Sequence, residues 1–155
     1  MHIWDMQRKG ISQSEIARRL GISRQAVNQL AQSIPDKVVA ALNDAARLNG
    51  IGPRSIDSTN GLLHGWSEEF QMHAVITVNP KFGLRVWYQH NLGRCKICPD
   101  QRNCRRSLLE NAAQFGILLT RTEKNLEPSK LSSLIFSRLM GYKDTLPIAH
   151  KPGHV

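Results

Sequence analysis

The sequence predicts an α+β protein: a helical N-terminal part, then a small antiparallel sheet closed by C-terminal helices. Three observations predict it. Residues 1–50 carry apolar side chains at helical spacing, broken at Gly10, Gly21 and Ser33–Pro35. Between residues 51 and 90 the pattern changes to short runs of β-formers separated by turn residues. After Cys104 helical spacing returns, first through Leu108, Leu109, Ala112, Ala113 and Phe115, then through Leu131, Leu134, Ile135 and Leu139. The expected division is a helical domain over 1–50, a sheet with two helices over 51–143, and a mobile tail over 144–155 containing Pro147, Pro152 and Gly153.

Each element has its own signal. Residues 2–9 read as a first helix, with Ile3 and Trp4 facing inward and Gly10 ending it. Ser12 and Glu15 have the S-x-x-E spacing of a capping box, in which each residue's side chain satisfies a backbone N–H of the other. Ile16, Ala17 and Leu20 share one face of the helix that follows. Gly21 stands where the chain must turn with φ > 0, and Ile22 is the apolar residue of that turn. Ser23 is a good N-cap for the next helix, expected to run to about Ala31 with Val27 and Leu30 facing Ile16 and Leu20. Ser33 to Pro35 is expected to close that helix. A fourth would start at Pro35 and end at Asn49-Gly50, with Val38, Val39, Leu42, Ala45 and Ala46 as its apolar stripe.

Ile51 to Pro53 reads as a linker. Strands are expected over 54–57, 62–66, 72–78 and 84–90, with a turn at 57–61 and a hairpin loop at 79–83. Trp66, Trp87 and Tyr88 are expected in the core, the usual place for aromatics on strands. Gly116 caps the first C-terminal helix, Pro128 starts the second and Gly141 ends it.

Composition narrows the classes. Of 155 residues, 41% are hydrophobic, enough for a packed core. The net charge of +9 favours a polyanionic partner, nucleic acid before anionic membrane. Residues 91–155 hold eleven Lys/Arg against five Asp/Glu, a charge of +6, whereas residues 1–50 hold seven against four, a charge of +3. No run reaches the ~18 apolar residues of a membrane span, and the N-terminus lacks the pattern of a signal peptide, so a cytoplasmic protein is expected.

The segment from Gln13 to Leu30, QSEIARRLGISRQAVNQL, resembles the helix-turn-helix of bacterial and archaeal transcription regulators of the repressor/Cro type. The resemblance covers about the first third of the chain. It implies a trihelical domain whose second motif helix, from Ser23, enters the major groove of double-stranded DNA. Arg24, Gln25, Asn28 and Gln29 are then base readers, because Arg pairs with guanine and Asn or Gln with adenine. Arg18, Arg19 and Ser23 are candidates for phosphate contact. A homodimer is expected, since one such helix reads only a few base pairs. The same motif occurs in transposases, resolvases and sigma factors, so it fixes DNA binding better than it fixes regulation.

The second constellation is His90-x4-Cys95-x2-Cys98-x5-Cys104, which holds all three cysteines of the chain. An odd number of cysteines argues against a disulfide framework. Two thiolates on a tight loop, with Cys104 at a helix start, suit a metal ion. His90 is the nearest fourth ligand, with His64 and His73 farther away, so a Cys3His zinc site is the first expectation. CKICPDQRNC is also similar to the last three ligands of WhiB-type regulators and of endonuclease III-type DNA glycosylases, which implies a 4Fe-4S cluster as the alternative.

No G-x-S-x-G, P-loop or H-E-x-x-H pattern is present, so no enzyme is expected. The expected function is a sequence-specific transcription regulator with a metal-stabilised or metal- or redox-sensing C-terminal half. Two alternatives stay open: a nucleic-acid-processing or transposase-related enzyme anchored by the motif, and an architectural protein that binds DNA without sequence choice.

Overall fold

The computed structural model describes residues 2–89 and 93–141. His90 and the tail from Asp144 lie outside the described residues. The chain is α+β and forms two compact units, Met1–Tyr88 and Gln89–Val155. The division therefore falls after the sheet and not at residue 50, for a reason that lies in the third helix.

The first unit opens with α1 (His2–Arg8), α2 (Gln13–Leu20) and α3 (Arg24–Leu48). Ile3, Ile16, Ala17 and Val27 form the buried centre where the three helices meet, with Met6, Ile11, Ala31 and Ile34 packed around it. Helix α3 is a single helix of 25 residues with Pro35 inside it, so the expected break at Ser33–Pro35 does not occur. Pro35 removes one helical donor. The helix continues because both its halves are packed. Val27 belongs to the three-helix centre, while Val38, Leu42, Ala45 and Ala46 belong to the core beneath the sheet; Ile34 touches both.

The sheet is a meander in the order β1-β2-β3-β4, with β1 (Ile51–Asp57), β2 (Leu62–Ser67), β3 (Met72–Asn79) and β4 (Gly83–Tyr88). All pairs are antiparallel. Leu63, Ala74, Ile76 and Val78 form one face and pack with Ile51 and Trp4 on α3. Ile51 to Pro53 is thus the start of a strand and not a linker: Ile51 is 3% exposed and pairs with Ser67. This packing is why the helix and the sheet belong to one unit. A bulge between Pro53 and Ser55 shifts the register of β1. Opposite it, a Cβ at Gly65 would lie 2.6 Å from the Gly52 carbonyl oxygen, so only glycine lets the two strands approach there. Trp87 is buried, and its Nε1–H donates to Thr77 Oγ1 at 3.0 Å; Trp66 and Tyr88 are only half-buried.

The second unit contains a short 3-10 turn (Cys95–Ile97), α4 (Gln101–Gln114), α5 (Arg121–Lys124) and α6 (Pro128–Leu139). Leu108 and Ala112 of α4 and Leu131, Ile135 and Phe136 of α6 are buried. Helix α5 has a complete capping box between Thr120 and Glu123. Hydrogen bonds from Arg138 above all, and from Thr120, hold the Glu123 carboxyl at a pKa of about 2. Among the described residues no helix is long and apolar enough to cross a membrane.

Candidate nucleic-acid interface

Short-range geometry builds the α2-turn-α3 segment. The Ser12 hydroxyl accepts the Glu15 N–H at 3.3 Å and opens α2. Gly21, at φ 65° and ψ 31°, is left-handed and closes it. The Ile22 N–H then donates to the Ala17 carbonyl at 3.1 Å, which fixes the turn. The Ser23 hydroxyl accepts the Ala26 N–H at 3.1 Å and opens α3. Its own proton stays available to a phosphate oxygen.

Arg24, Gln25, Asn28 and Gln29 are all exposed. At 3.6 residues per turn they span an arc of about 140° on α3. Val27, fully buried, lies outside that arc and anchors the helix to α2. Among the described residues Arg24, Gln25 and Gln29 have no hydrogen-bond or ion-pair partner. Asn28 is held: Gln13 Nε2 at the start of α2 donates to its Oδ1 at 3.3 Å. That bond leaves the Asn28 amide N–H groups and one lone pair of Oδ1 for a base edge. Sequence reasoning did not single out Gln13; its signal is a glutamine at the first position of α2, facing α3.

Two expectations change. Leu20, Ile22 and Leu30 are 39%, 38% and 45% exposed, so the contact between α2 and α3 stops at Ile16, Ala17 and Val27. With α1 also covering Ile16, the small centre is full without them. The Glu15 side chain does not close a capping box either. Its two oxygens accept from Arg18 Nε and Nη2 at 2.8 and 2.7 Å, and Oε1 also accepts from Arg19 Nε at 2.7 Å. These bonds, Arg18's first, hold the Glu15 carboxyl at a pKa of about 2. A carboxylate thus occupies the guanidinium groups that a phosphate would take.

The cysteine segment is organised less tightly. None of the three cysteines is in a disulfide. The Cys98 N–H donates to the Cys95 carbonyl at 3.3 Å, so the C-x-x-C stretch is a tight turn. Cys98 is exposed. Cys95 Sγ donates to Ser129 Oγ at 3.6 Å and Cys104 Sγ to Asp100 Oδ2 at 3.4 Å. Among the described residues no three His, Cys, Asp or Glu side chains gather as a metal site. His64 on β2 and His73 on β3 face one another instead, with Nε2 and Nδ1 3.0 Å apart. Burial first, then the neighbouring His73 and Arg54, lowers the His64 pKa; burial and Arg54 lower that of His73.

Comparison with family models, with curated proteins and with solved structures finds no match to this chain.

Proposed function

We propose that this protein binds double-stranded DNA with sequence preference and acts as a helix-turn-helix transcription regulator. One observation carries the reading. Arg24, Gln25, Asn28 and Gln29 stand exposed on one arc of α3, immediately after a serine-capped turn that a buried Val27 holds in place. The N-terminal end of α3 adds free backbone N–H groups and the positive end of its dipole for the phosphates. Ser23, Arg18 and Arg19 border that end. On binding, the two arginines exchange Glu15 for phosphate. Gln13 positions Asn28, whose remaining donor and acceptor capacity suits adenine.

The reading also includes a zinc site formed by Cys95, Cys98, Cys104 and His90. The tight C-x-x-C turn and three cysteines within ten residues, none in a disulfide, support it. Cys95 and Cys104 would leave Ser129 and Asp100 to bind the ion.

Fluorescence anisotropy tests the DNA reading on a duplex selected from a random pool by the wild-type protein. Arg24→Ala and Asn28→Ala should each cost about 1–3 kcal/mol at that site and little on random duplex. Equal losses on both duplexes would instead indicate architectural binding through phosphates. No loss on either would remove α3 from the interface.

A further inference from the structure

We propose that the second unit carries its own contact for the phosphate backbone of duplex DNA, formed by Arg94, Lys96, Arg102 and Lys130 around the Cys95–Ile97 turn. The inference rests on the DNA reading for the identity of the polyanion. The surface reads no bases and adds affinity for any sequence.

The two units expose charge differently. Residues 2–89 hold ten Lys/Arg and seven Asp/Glu, and four of those carboxylates, Asp36, Asp44, Glu68 and Glu69, are exposed. Residues 93–141 hold nine Lys/Arg and four Asp/Glu. There eight of the nine cations are exposed, whereas all four carboxylates, Asp100, Glu110, Glu123 and Glu127, are half-buried. A surface whose exposed charge is this one-sided selects a polyanion.

Four of the cations gather where α4 and α6 begin. The Cys98 N–H donates to the Cys95 carbonyl at 3.3 Å and the Gln101 N–H to the Cys98 carbonyl at 3.2 Å, so the turn runs straight into α4. Cys95 Sγ donates to Ser129 Oγ at 3.6 Å, which sets the first turn of α6 against it. Gly93 shows how close the segments come: a Cβ there would lie 3.1 Å from Ser129 Cβ and 3.2 Å from Cys95 Sγ. Arg94 and Lys96 flank Cys95, Arg102 is the second residue of α4 and Lys130 the third of α6. All four are exposed, and none makes a side-chain hydrogen bond or ion pair among the described residues. Two carboxylates lie at the same end. Asp100 and Glu127 hold the N-cap positions of α4 and α6, and Asp100 accepts from Asn103 Nδ2 at 2.9 Å and from Cys104 Sγ at 3.4 Å. The cations outnumber them before Arg105 is included. Its Nη1 donates to the neutral Lys124 carbonyl at 2.9 Å, which leaves its charge uncompensated.

The partner is a nucleic acid and not a lipid surface. Each strand of a duplex carries a phosphate about every 3.4 Å along the axis, so clustered cations meet several at once, and each contact releases counterions. An anionic bilayer needs apolar anchors as well. Ile97, 76% exposed, is the only large apolar side chain exposed on this turn.

The test is fluorescence anisotropy on the full chain with the selected and a shuffled duplex over a range of salt concentrations. The quadruple variant Arg94→Gln/Lys96→Gln/Arg102→Gln/Lys130→Gln should lower the slope of log affinity against log salt by about 2–4, near ~0.9 per lost phosphate contact. Both duplexes should weaken by the same factor, at least about 30-fold near ~0.15 M salt, so their ratio stays within a few-fold of wild type. Lys37→Gln removes an exposed, unpartnered cation from α3 beyond its base-reading end and should leave the slope unchanged. Circular dichroism melting checks that each variant folds. Arg94→Gln/Lys96→Gln, confined to the turn, should give about half the change in slope and carries the test if the quadruple variant melts early. An unchanged slope, a loss confined to the selected duplex, or the same change per charge in Lys37→Gln would each overturn the proposal. So would wild-type binding to phosphatidylserine vesicles that the quadruple variant loses while its duplex binding is untouched. The two readings separate in the same data. If Arg24→Ala and Asn28→Ala change nothing while the quadruple variant weakens on both duplexes, α3 leaves the interface and this surface stands. If the α3 variants lose preference while the quadruple variant keeps the wild-type slope, the base-reading helix stands and this surface falls.

Discussion

The α2-turn-α3 segment and the cysteine segment are the two chemically distinctive stretches of this chain, and they are built in opposite ways. From Ser12 to Leu30 the local requirements are met within the segment: a cap at Ser12, a left-handed Gly21 and a cap at Ser23, with Ile16, Ala17 and Val27 buried together beneath Ile3 of α1. The resulting surface is ready before any partner arrives. From Cys95 to Cys104 only the turn and the Cys104–Asp100 bond are local. Two of the thiols make hydrogen bonds to separate partners, Ser129 and Asp100, and the third faces solvent. The exposed end of α3 needs only the small three-helix centre beneath it. A tetrahedral metal site needs four donors brought to one point, and a ten-residue stretch supplies only part of that. The α2-turn-α3 segment is complete in the protein alone, whereas the three cysteines would need an ion to gather them.

The largest test of that contrast is core truncation. Ile16→Ala removes a fully buried side chain from the three-helix centre, and a loss of about 2–5 kcal/mol is expected in urea unfolding, with loss of duplex binding. An equally stable variant would show that the motif does not depend on its small core.

A second test addresses the thiols. Protein purified without oxygen should hold about one zinc per chain and show no visible absorption, and Cys98→Ser should lose the metal. Iron, sulfide and a band near ~400 nm would replace zinc by a cluster and make redox sensing the role of this half. A metal-free wild type would leave Cys98 an exposed free thiol and end the zinc reading.

The smallest effect concerns pH. His64 and His73 both have pKa values below the ordinary 6.5, chiefly through burial. The unfolded chain therefore binds more protons than the folded one just below pH 6.5. Stability from the neutral pair is fully present above pH 6.5 and is lost as pH falls toward the folded values. Thermal unfolding between pH 7.5 and 5 should show this decline, and His73→Gln should flatten it. An unchanged slope in that variant would remove the pair as the cause.

How far the sequence was readable follows from the same distinction. The serine caps, the Gly21 turn and the burial of Ile16, Ala17 and Val27 act over a few residues, and the structure has them where the pattern implies; Leu20 and Leu30, expected to face one another, stay exposed. Pro35 misled because its local cost was weighed without the tertiary packing of Val27 and Ile34 on one side and Val38 and Leu42 on the other. Ile51 looked like linker because its burial depends on a strand sixteen residues away, where it pairs with Ser67. Glu15 matched a capping box, but Arg18 and Arg19 one turn on compete for its carboxylate more strongly than a backbone N–H does. The Gln13–Asn28 bond and the His64–His73 pair join residues whose meeting is decided by helix crossing and strand register, which spacing alone does not encode.

The central claim is that α3 reads base edges through Arg24, Gln25, Asn28 and Gln29. Its most direct measurement is the ratio of affinities of the wild-type protein for its selected duplex and for a shuffled one, at fixed salt. A ratio of at least about 10³ is predicted, falling about tenfold or more in Arg24→Ala and in Asn28→Ala. A ratio near one in the wild type, with binding that only follows salt, would contradict it.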